Sequence, residues 1–167
     1  PGFGPTSTVA DMDEDGELEV VGAGTVYEMD GTVVWSDGGS DGYPAIGDFD
    51  GDGLPEIVRS GSAYVIMTDD DGSILWSVAV PGGGRGGPPT VADFDGDNEP
   101  EIGIAGAYYY IVFEGDGTVL WQKPVNDTSS NSTGSSVFDF EGDGKAEVVY
   151  ADEYTLYVFD GETGCIL

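Results

Sequence analysis

The stretch GDFDGDGLPEIV, Gly47 to Val58, decides the fold. Asp48, Asp50 and Asp52 alternate with small or apolar residues, Gly53 breaks the chain direction, and Glu56 opens a β-branched run. The same order recurs as ADMDEDGELEVV from Ala10, ADFDGDNEPEIG from Ala92 and FDFEGDGKAEVV from Phe138. The leading residues are Asp11, Asp48, Asp93 and Asp139, at successive spacings of 37, 45 and 46. A period of roughly 40–50 residues is that of a four-stranded propeller blade.

Each copy carries the same signals on both sides. A short apolar run precedes the acidic loop (Thr8 to Ala10, Pro44 to Ile46, Pro89 to Ala92, Ser136 to Phe138), and a β-branched run follows it, starting at Glu19, Glu56, Glu101 and Glu147. A third run comes next, at Val26-Tyr27, Tyr64 to Met67, Tyr109 to Phe113 and Leu156 to Phe159. It ends at Asp30-Gly31, Asp71-Gly72, Asp116-Gly117 and Asp160-Gly161, dipeptides that supply the positive φ of tight hairpins. The fourth strands read Val33 to Trp35, Ile74 to Trp76, Val119 to Trp121 and Cys165 to Leu167. No segment has helical periodicity, and Gly and Pro punctuate the chain throughout. The expected fold is all-β: β-propeller blades of four antiparallel strands, four repeats in one segment over residues 1–167, at roughly 3–37, 43–81, 88–125 and 134–167. Four such blades read as part of a larger propeller or assembly.

The loop template is D-x-D-x-D-G-x-x-E. Carboxylates at positions 1, 3, 5 and 9 converge only if the chain turns sharply at position 6, which Gly16, Gly53 and Gly144 hold. Asn98 takes that place in the third loop and tolerates the left-handed conformation. Main-chain carbonyls at position 7 (Glu17, Leu54, Glu99, Lys145) would complete an oxygen-only shell of the kind Ca²⁺ takes, and the chain has no His to suggest zinc. An EF-hand needs an acid at position 12, where Gly22, Arg59, Ile104 and Tyr150 stand. Merely solvated acidic turns would leave the ninth-position Glu unexplained in four loops. The fourth loop, with Glu141 at position 3 and Lys145 beside the site, is expected to bind most loosely.

These loops resemble the FG-GAP or VCBS-type calcium repeat of integrin α-subunit propellers and bacterial surface proteins; Phe3-Gly4-Pro5 is the one echo of the name-giving framework motif. The resemblance implies Ca²⁺ in each loop between the first and second strands of a blade, four ions in all. The ligand positions it carries over are Asp11, Asp13, Asp15, Glu17 and Glu19, then Asp48, Asp50, Asp52, Leu54 and Glu56. In the last two loops they are Asp93, Asp95, Asp97, Glu99 and Glu101, and Asp139, Glu141, Asp143, Lys145 and Glu147.

Charge narrows the function further. Four Lys and Arg stand against 33 Asp and Glu, a formal net charge of −29, which disfavours nucleic acid and anionic membranes as partners. No window is apolar enough for a transmembrane helix, and no signal peptide is legible at the start. Cys165 is the only cysteine and is expected to be a half-buried free thiol, or cross-linked to another chain. The function expected is a non-catalytic extracellular or cell-surface calcium-binding module for adhesion or scaffolding. Its partners would be a protein or glycan at the cell surface, met by the long connections between blades, with self-association through open blade edges. Two alternatives stand beside it: a subunit of a head-to-tail ring or extracellular filament, and a part of a calcium-dependent polysaccharide-acting enzyme. The chain lacks any nucleophile constellation, so catalysis is not expected. Trp35, Trp76 and Trp121 are expected to pack between blades rather than to form a sugar platform. Asn126-Asp-Thr128 and Asn131-Ser-Thr133 fit the glycosylation pattern.

Overall fold

The structure, a computed structural model, describes residues 6–39, 42–128 and 133–167. Phe3-Gly4-Pro5 and the Asn131 acceptor lie outside them. The described residues form fifteen strands and no helix. The first blade comprises β1 (Thr8–Ala10), β2 (Glu19–Val21), β3 (Thr25–Tyr27) and β4 (Val33–Ser36). The second holds β5 (Tyr43–Gly47), β6 (Glu56–Ser60), β7 (Tyr64–Thr68) and β8 (Ile74–Ala79), and the third β9 (Thr90–Ala92), β10 (Glu101–Ala105), β11 (Tyr109–Phe113) and β12 (Val119–Pro124). The fourth has β13 (Ser136–Phe138), β14 (Glu147–Ala151) and β15 (Leu156–Phe159).

Each sheet is an antiparallel meander in which every strand pairs with its neighbour in sequence. Short loops and hairpins permit nothing else, because parallel pairing needs a crossover of a dozen or more residues. The expected fourth strand at Cys165 to Leu167 is reduced to a single bridge, Phe159 to Ile166, so the last sheet has three strands. The turn there closes between Asp160 and Cys165, one residue longer than the other three, and beyond it the Leu167 amide donates to the Val158 carbonyl at 3.0 Å. Cys165 is exposed rather than half-buried.

Blades stack through their first strands, since β1 touches β5, β5 touches β9 and β9 touches β13. Three cores fill the spaces between successive blades. Met12, Val21 and Val26 meet Ile57; Val58, Val65 and Met67 meet Ile102, Ile104 and Phe113; Phe94, Tyr110 and Val112 meet Val148, Tyr150 and Phe159. Each core therefore belongs to two sheets, and no blade has a core of its own.

The tryptophans lock this stack. Trp35 Nε1 donates to the Asp70 carbonyl at 2.6 Å, Trp76 Nε1 to Gly115 at 2.8 Å and Trp121 Nε1 to Gly161 at 2.5 Å, in each case the hairpin turn of the next blade. The turn glycines are left-handed, with φ of 88° at Gly72 and 83° at Gly117, and a β-carbon on either would meet the indole at 2.9 Å. Glycine is thus required twice over, by the turn and by the ring lying on it. A register shift between Val26 and Tyr27, Met67 and Thr68, and Val112 and Phe113 leaves Val34, Leu75 and Leu120 unpaired. That bulge re-aims each strand end and turns the following Trp toward its neighbour.

Candidate metal centres

The acidic loops join β1 to β2, β5 to β6, β9 to β10 and β13 to β14. Ladder pairing fixes their mouths: Ala10 faces Glu19, Gly47 faces Glu56, Ala92 faces Glu101 and Phe138 faces Glu147. Positions 1 and 9 are therefore brought together by β pairing alone.

Carboxylates then organise the turn by accepting main-chain N–H groups. The first-position Asp accepts from the sixth residue: Asp11 from Gly16 at 3.0 Å, Asp48 from Gly53 at 3.2 Å, Asp93 from Asn98 at 3.0 Å and Asp139 from Gly144 at 2.9 Å. The fifth-position Asp accepts from the seventh residue, as Asp52 does from Leu54 at 2.9 Å. The ninth-position Glu reaches back to the second: Glu19 to Met12, Glu56 to Phe49 and Glu101 to Phe94, each at 2.6 Å, and Glu147 to Phe140 at 2.8 Å.

Two left-handed residues per loop make this possible. Position 6 is one, including Asn98 at φ 71°. Position 4 is the other, held by Gly51, Gly96 and Gly142 and, in the first loop, by Glu14 at φ 57°. The glycines there donate to the first Asp, Gly51 to Asp48 at 2.7 Å and Gly96 to Asp93 at 2.6 Å. In the first loop the corresponding Asp11 Oδ1 is buried and has no partner.

Four groups of acids have side-chain oxygens within 4.8 Å of one another: Asp11, Asp13 and Asp15; Asp48, Asp50 and Glu56; Asp93, Asp95 and Glu101; Asp139, Glu141 and Glu147. Each could hold a cation. In the last three loops positions 1, 3 and 9 converge, while Asp52, Asp97 and Asp143 stand outside the trio with one oxygen on the position-7 amide. In the first loop Asp15 takes the place that Glu19 would have. Glu17, Leu54, Glu99 and Lys145 enter through main-chain N–H bonds to the fifth position. Lys145 Nζ pairs with Glu162 of the adjoining hairpin.

Glu56 and Glu101 are fully buried, and in both the second oxygen, Oε1, has no hydrogen-bond partner. Burial pushes each carboxyl up to about 7, against the pull of the Phe49 or Phe94 amide, and neighbouring loop aspartates raise it further. Glu141 is raised by burial and then by Glu147. Further acids from the hairpins crowd the same end: Glu28 is raised by burial and then by Glu19, Asp13 and Asp15, and Glu114 by burial and then by Asp95 and Asp97. Sequence reading passed over them, although Glu28, Asp69, Glu114 and Asp160 recur at one register position.

Opposite the loops, blades are joined by polar links. Arg59 of β6 forms a buried ion pair with Asp37 at 2.5 Å and donates to the Ala23 carbonyl at 3.0 Å. Tyr110 OH lies 2.7 Å from Ser135 Oγ.

Residues 48–104 match the family model of the FG-GAP-like repeat. That span holds the second and third acidic loops. No curated protein matches it. Among solved structures, the V. cholerae biofilm matrix protein Bap1 superposes with a TM-score of 0.90 at 15% identity, over 99% of this chain and 55% of Bap1. The rhamnogalacturonan lyase YesX gives 0.66 at 19% identity, over 97% of this chain and 40% of the lyase. An Agrocybe aegerita lectin recognising non-reducing terminal N-acetylglucosamine gives 0.61 at 22%, over 97% of this chain and 50% of the lectin. The chain thus spans about half the length of the structures it matches. At these identities the likeness is one of fold, all-β propeller-type blades. No helix among the described residues is long and apolar enough to cross a membrane.

Proposed function

We infer that the chain is a non-catalytic extracellular module whose blades are braced by four Ca²⁺ ions, one per acidic loop. The observation that carries this reading is the unpartnered, buried carboxylate oxygen: Glu56 Oε1, Glu101 Oε1 and Asp11 Oδ1, each on a residue of a convergent acidic trio. A buried carboxylate oxygen without a donor is costly, and a hard cation satisfies it where no N–H is available. The donors are oxygens only, which suits Ca²⁺ better than zinc. An ion held by positions 1, 3 and 9, or by 1, 3 and 5 in the first loop, with the remaining loop oxygens or water, would neutralise charge that otherwise repels within each turn.

Extracellular placement is supported by the acidity of the chain, since extracellular calcium modules work at high ambient calcium. The fold likeness to a protein named for the biofilm matrix is compatible with it. A scaffolding or adhesive role follows from rigid blades carrying varied connections opposite the calcium loops, where a protein or glycan would be met. Isothermal titration of chelator-stripped protein with calcium tests the reading. Four-site uptake with a rise in melting temperature is expected; an absence of uptake and an unchanged melt would refute it.

A further inference from the structure

The four acidic loops are not equally isolated from one another. Where the third and fourth blades meet, Ala146, at position 8 of its loop, donates its main-chain N–H to the carbonyl of Asp93, at position 1 of the loop before. That bond measures 3.0 Å. At the two earlier joints the residue at position 8 is Pro55 or Pro100, and neither has an N–H to give. Among the described residues, no main-chain hydrogen bond joins the first acidic loop to the second or the second to the third.

A side chain crosses the same joint. The stem of Lys145 lies on Gly96, where an added β-carbon would meet its Cγ and Cε at 3.1 Å. Gly51, the equivalent glycine one joint earlier, has nothing within 4 Å. The fourth hairpin adds a third contact, because a β-carbon on Gly161 would collide with the main-chain carbonyls of both Phe94 and Ala146. For its counterpart Gly115 the three nearest atoms all belong to Phe49 of the second loop.

These contacts fall on the residues that would hold the ions. Asp93 belongs to the third trio, and its carboxylate accepts from Gly96 at 2.6 Å and Asn98 at 3.0 Å. Ala146 stands between Glu147 of the fourth trio and Lys145, whose N–H is held by Asp143 at 3.1 Å. Resting on the inference that each loop holds calcium, we propose that the third and fourth loops fill as a coupled pair, while the first and second fill without that link. An ion that fixes Glu147 also fixes the Ala146 amide, and with it the backbone of Asp93. The second ion to arrive therefore meets a loop already ordered. Linkage makes the effect reciprocal, so filling the third loop favours the fourth by the same factor. Charge opposes it, since the first ion weakens the negative potential at the second loop, but physiological salt screens that opposition with a Debye length of about 8 Å.

Isothermal titration with calcium in physiological salt tests the coupling apart from ion binding itself. Glu147→Gln should lose one ion and weaken a second by about five- to tenfold, within the usual range of coupling between sites. Glu56→Gln should lose one ion and leave the other three at wild-type affinity. Ala146→Pro, which copies the residue of the second and third loops, should keep four ions but weaken the coupled pair by a similar factor. Ala146→Ser retains the N–H and should titrate as the wild type does. Should Ala146→Pro fail to fold by circular dichroism, the contrast between the two Gln variants decides. Four ions in the wild type with equal neighbour effects from both Gln variants, or with wild-type affinity in Ala146→Pro, would overturn the coupling and leave the calcium reading standing. No uptake by the wild type overturns both.

Discussion

Replacing Glu101 with Gln should change stability in opposite directions with and without calcium. The side chain is 1% exposed; Oε2 accepts the Phe94 amide at 2.6 Å and Oε1 is unpartnered beside Asp93 and Asp95. Gln keeps the volume and can still accept from Phe94 through its carbonyl, so packing is unchanged. In chelator above pH 7, the wild type must hold an ionised carboxylate that burial pushes up to about 7. Gln removes that charge and offers an N–H to the neighbouring aspartates, so the variant should melt a few degrees higher. In calcium the sign reverses. A site filled at one hundred times its Kd stabilises the fold by about 2.7 kcal/mol. Losing that contribution in a chain of this size lowers the melting temperature by roughly 5–10 °C, at ~2–4 °C per kcal/mol. Differential scanning calorimetry of both proteins in both media reads the four values. Shifts of the same sign in calcium and in chelator would refute the assignment of Glu101 as a ligand.

Three further outcomes are expected. Trp121→Ala should cost about 3–5 kcal/mol by emptying the joint between the third and fourth blades, while Trp121→Phe should cost only about 1 kcal/mol for the bond to Gly161; equal effects in thermal melts would contradict the packing role. Glu14→Gly should stabilise by about 1 kcal/mol, because a left-handed side-chain residue becomes glycine as in the other three loops; a lower melting temperature would show that the Glu14 side chain matters more than its strain. The pH dependence follows from Glu56 and Glu101, whose folded pKa near 7 exceeds the unfolded value near 4.5. Stability from their neutral forms is complete below pH 4.5 and is lost as pH rises through 7, so the chelated protein should melt lower at neutral pH than in mild acid. Calcium, which needs the ionised form, should abolish that decline, and parallel pH profiles in the two media would count against metal binding there.

The blades were legible because their signals are local. The loop template, the Asp-Gly turns and the Trp-ended strands recur in one order, and β pairing of Ala92 with Glu101 follows from a nine-residue loop closing on itself. Position 6 was readable as left-handed from Gly16, Gly53 and Gly144. Position 4 escaped notice because Glu14 masks the pattern that Gly51, Gly96 and Gly142 make plain. Cys165 to Leu167 lies against β15 as its β-type residues suggest, through the Phe159–Ile166 bridge and the Leu167 amide on the Val158 carbonyl, but it follows a turn one residue longer than the Asp-Gly dipeptide predicts. The converging acids all come from positions 1, 3, 5 and 9, but which three of the four meet in each loop was not readable. Positions 3 and 5 both hold Asp in the first three loops, and each accepts an amide two residues on, as Asp50 does from Asp52 and Asp52 from Leu54, so neither residue type nor local hydrogen bonding separates them.

Metal loop and blade stacking are wired together through two adjacent atoms of one residue. The ninth Glu of each loop points one oxygen toward the acidic trio or its neighbourhood and the other at the amide of position 2, whose side chain is the plug of the next inter-blade core. If an ion fixes Glu101, it also fixes the Phe94 amide, and with it a ring packed against Val148, Tyr150 and Phe159. Removal of the ion should then loosen the joint between blades before it unravels any one sheet, since hydrogen-bonded ladders within a blade do not pass through the loop. The fourth loop is the exception that follows from the same wiring. Glu147 holds the Phe140 amide at 2.8 Å, but among the described residues the exposed ring beyond it meets Phe138 edge-on rather than a core shared by two blades, so an ion there braces less packing.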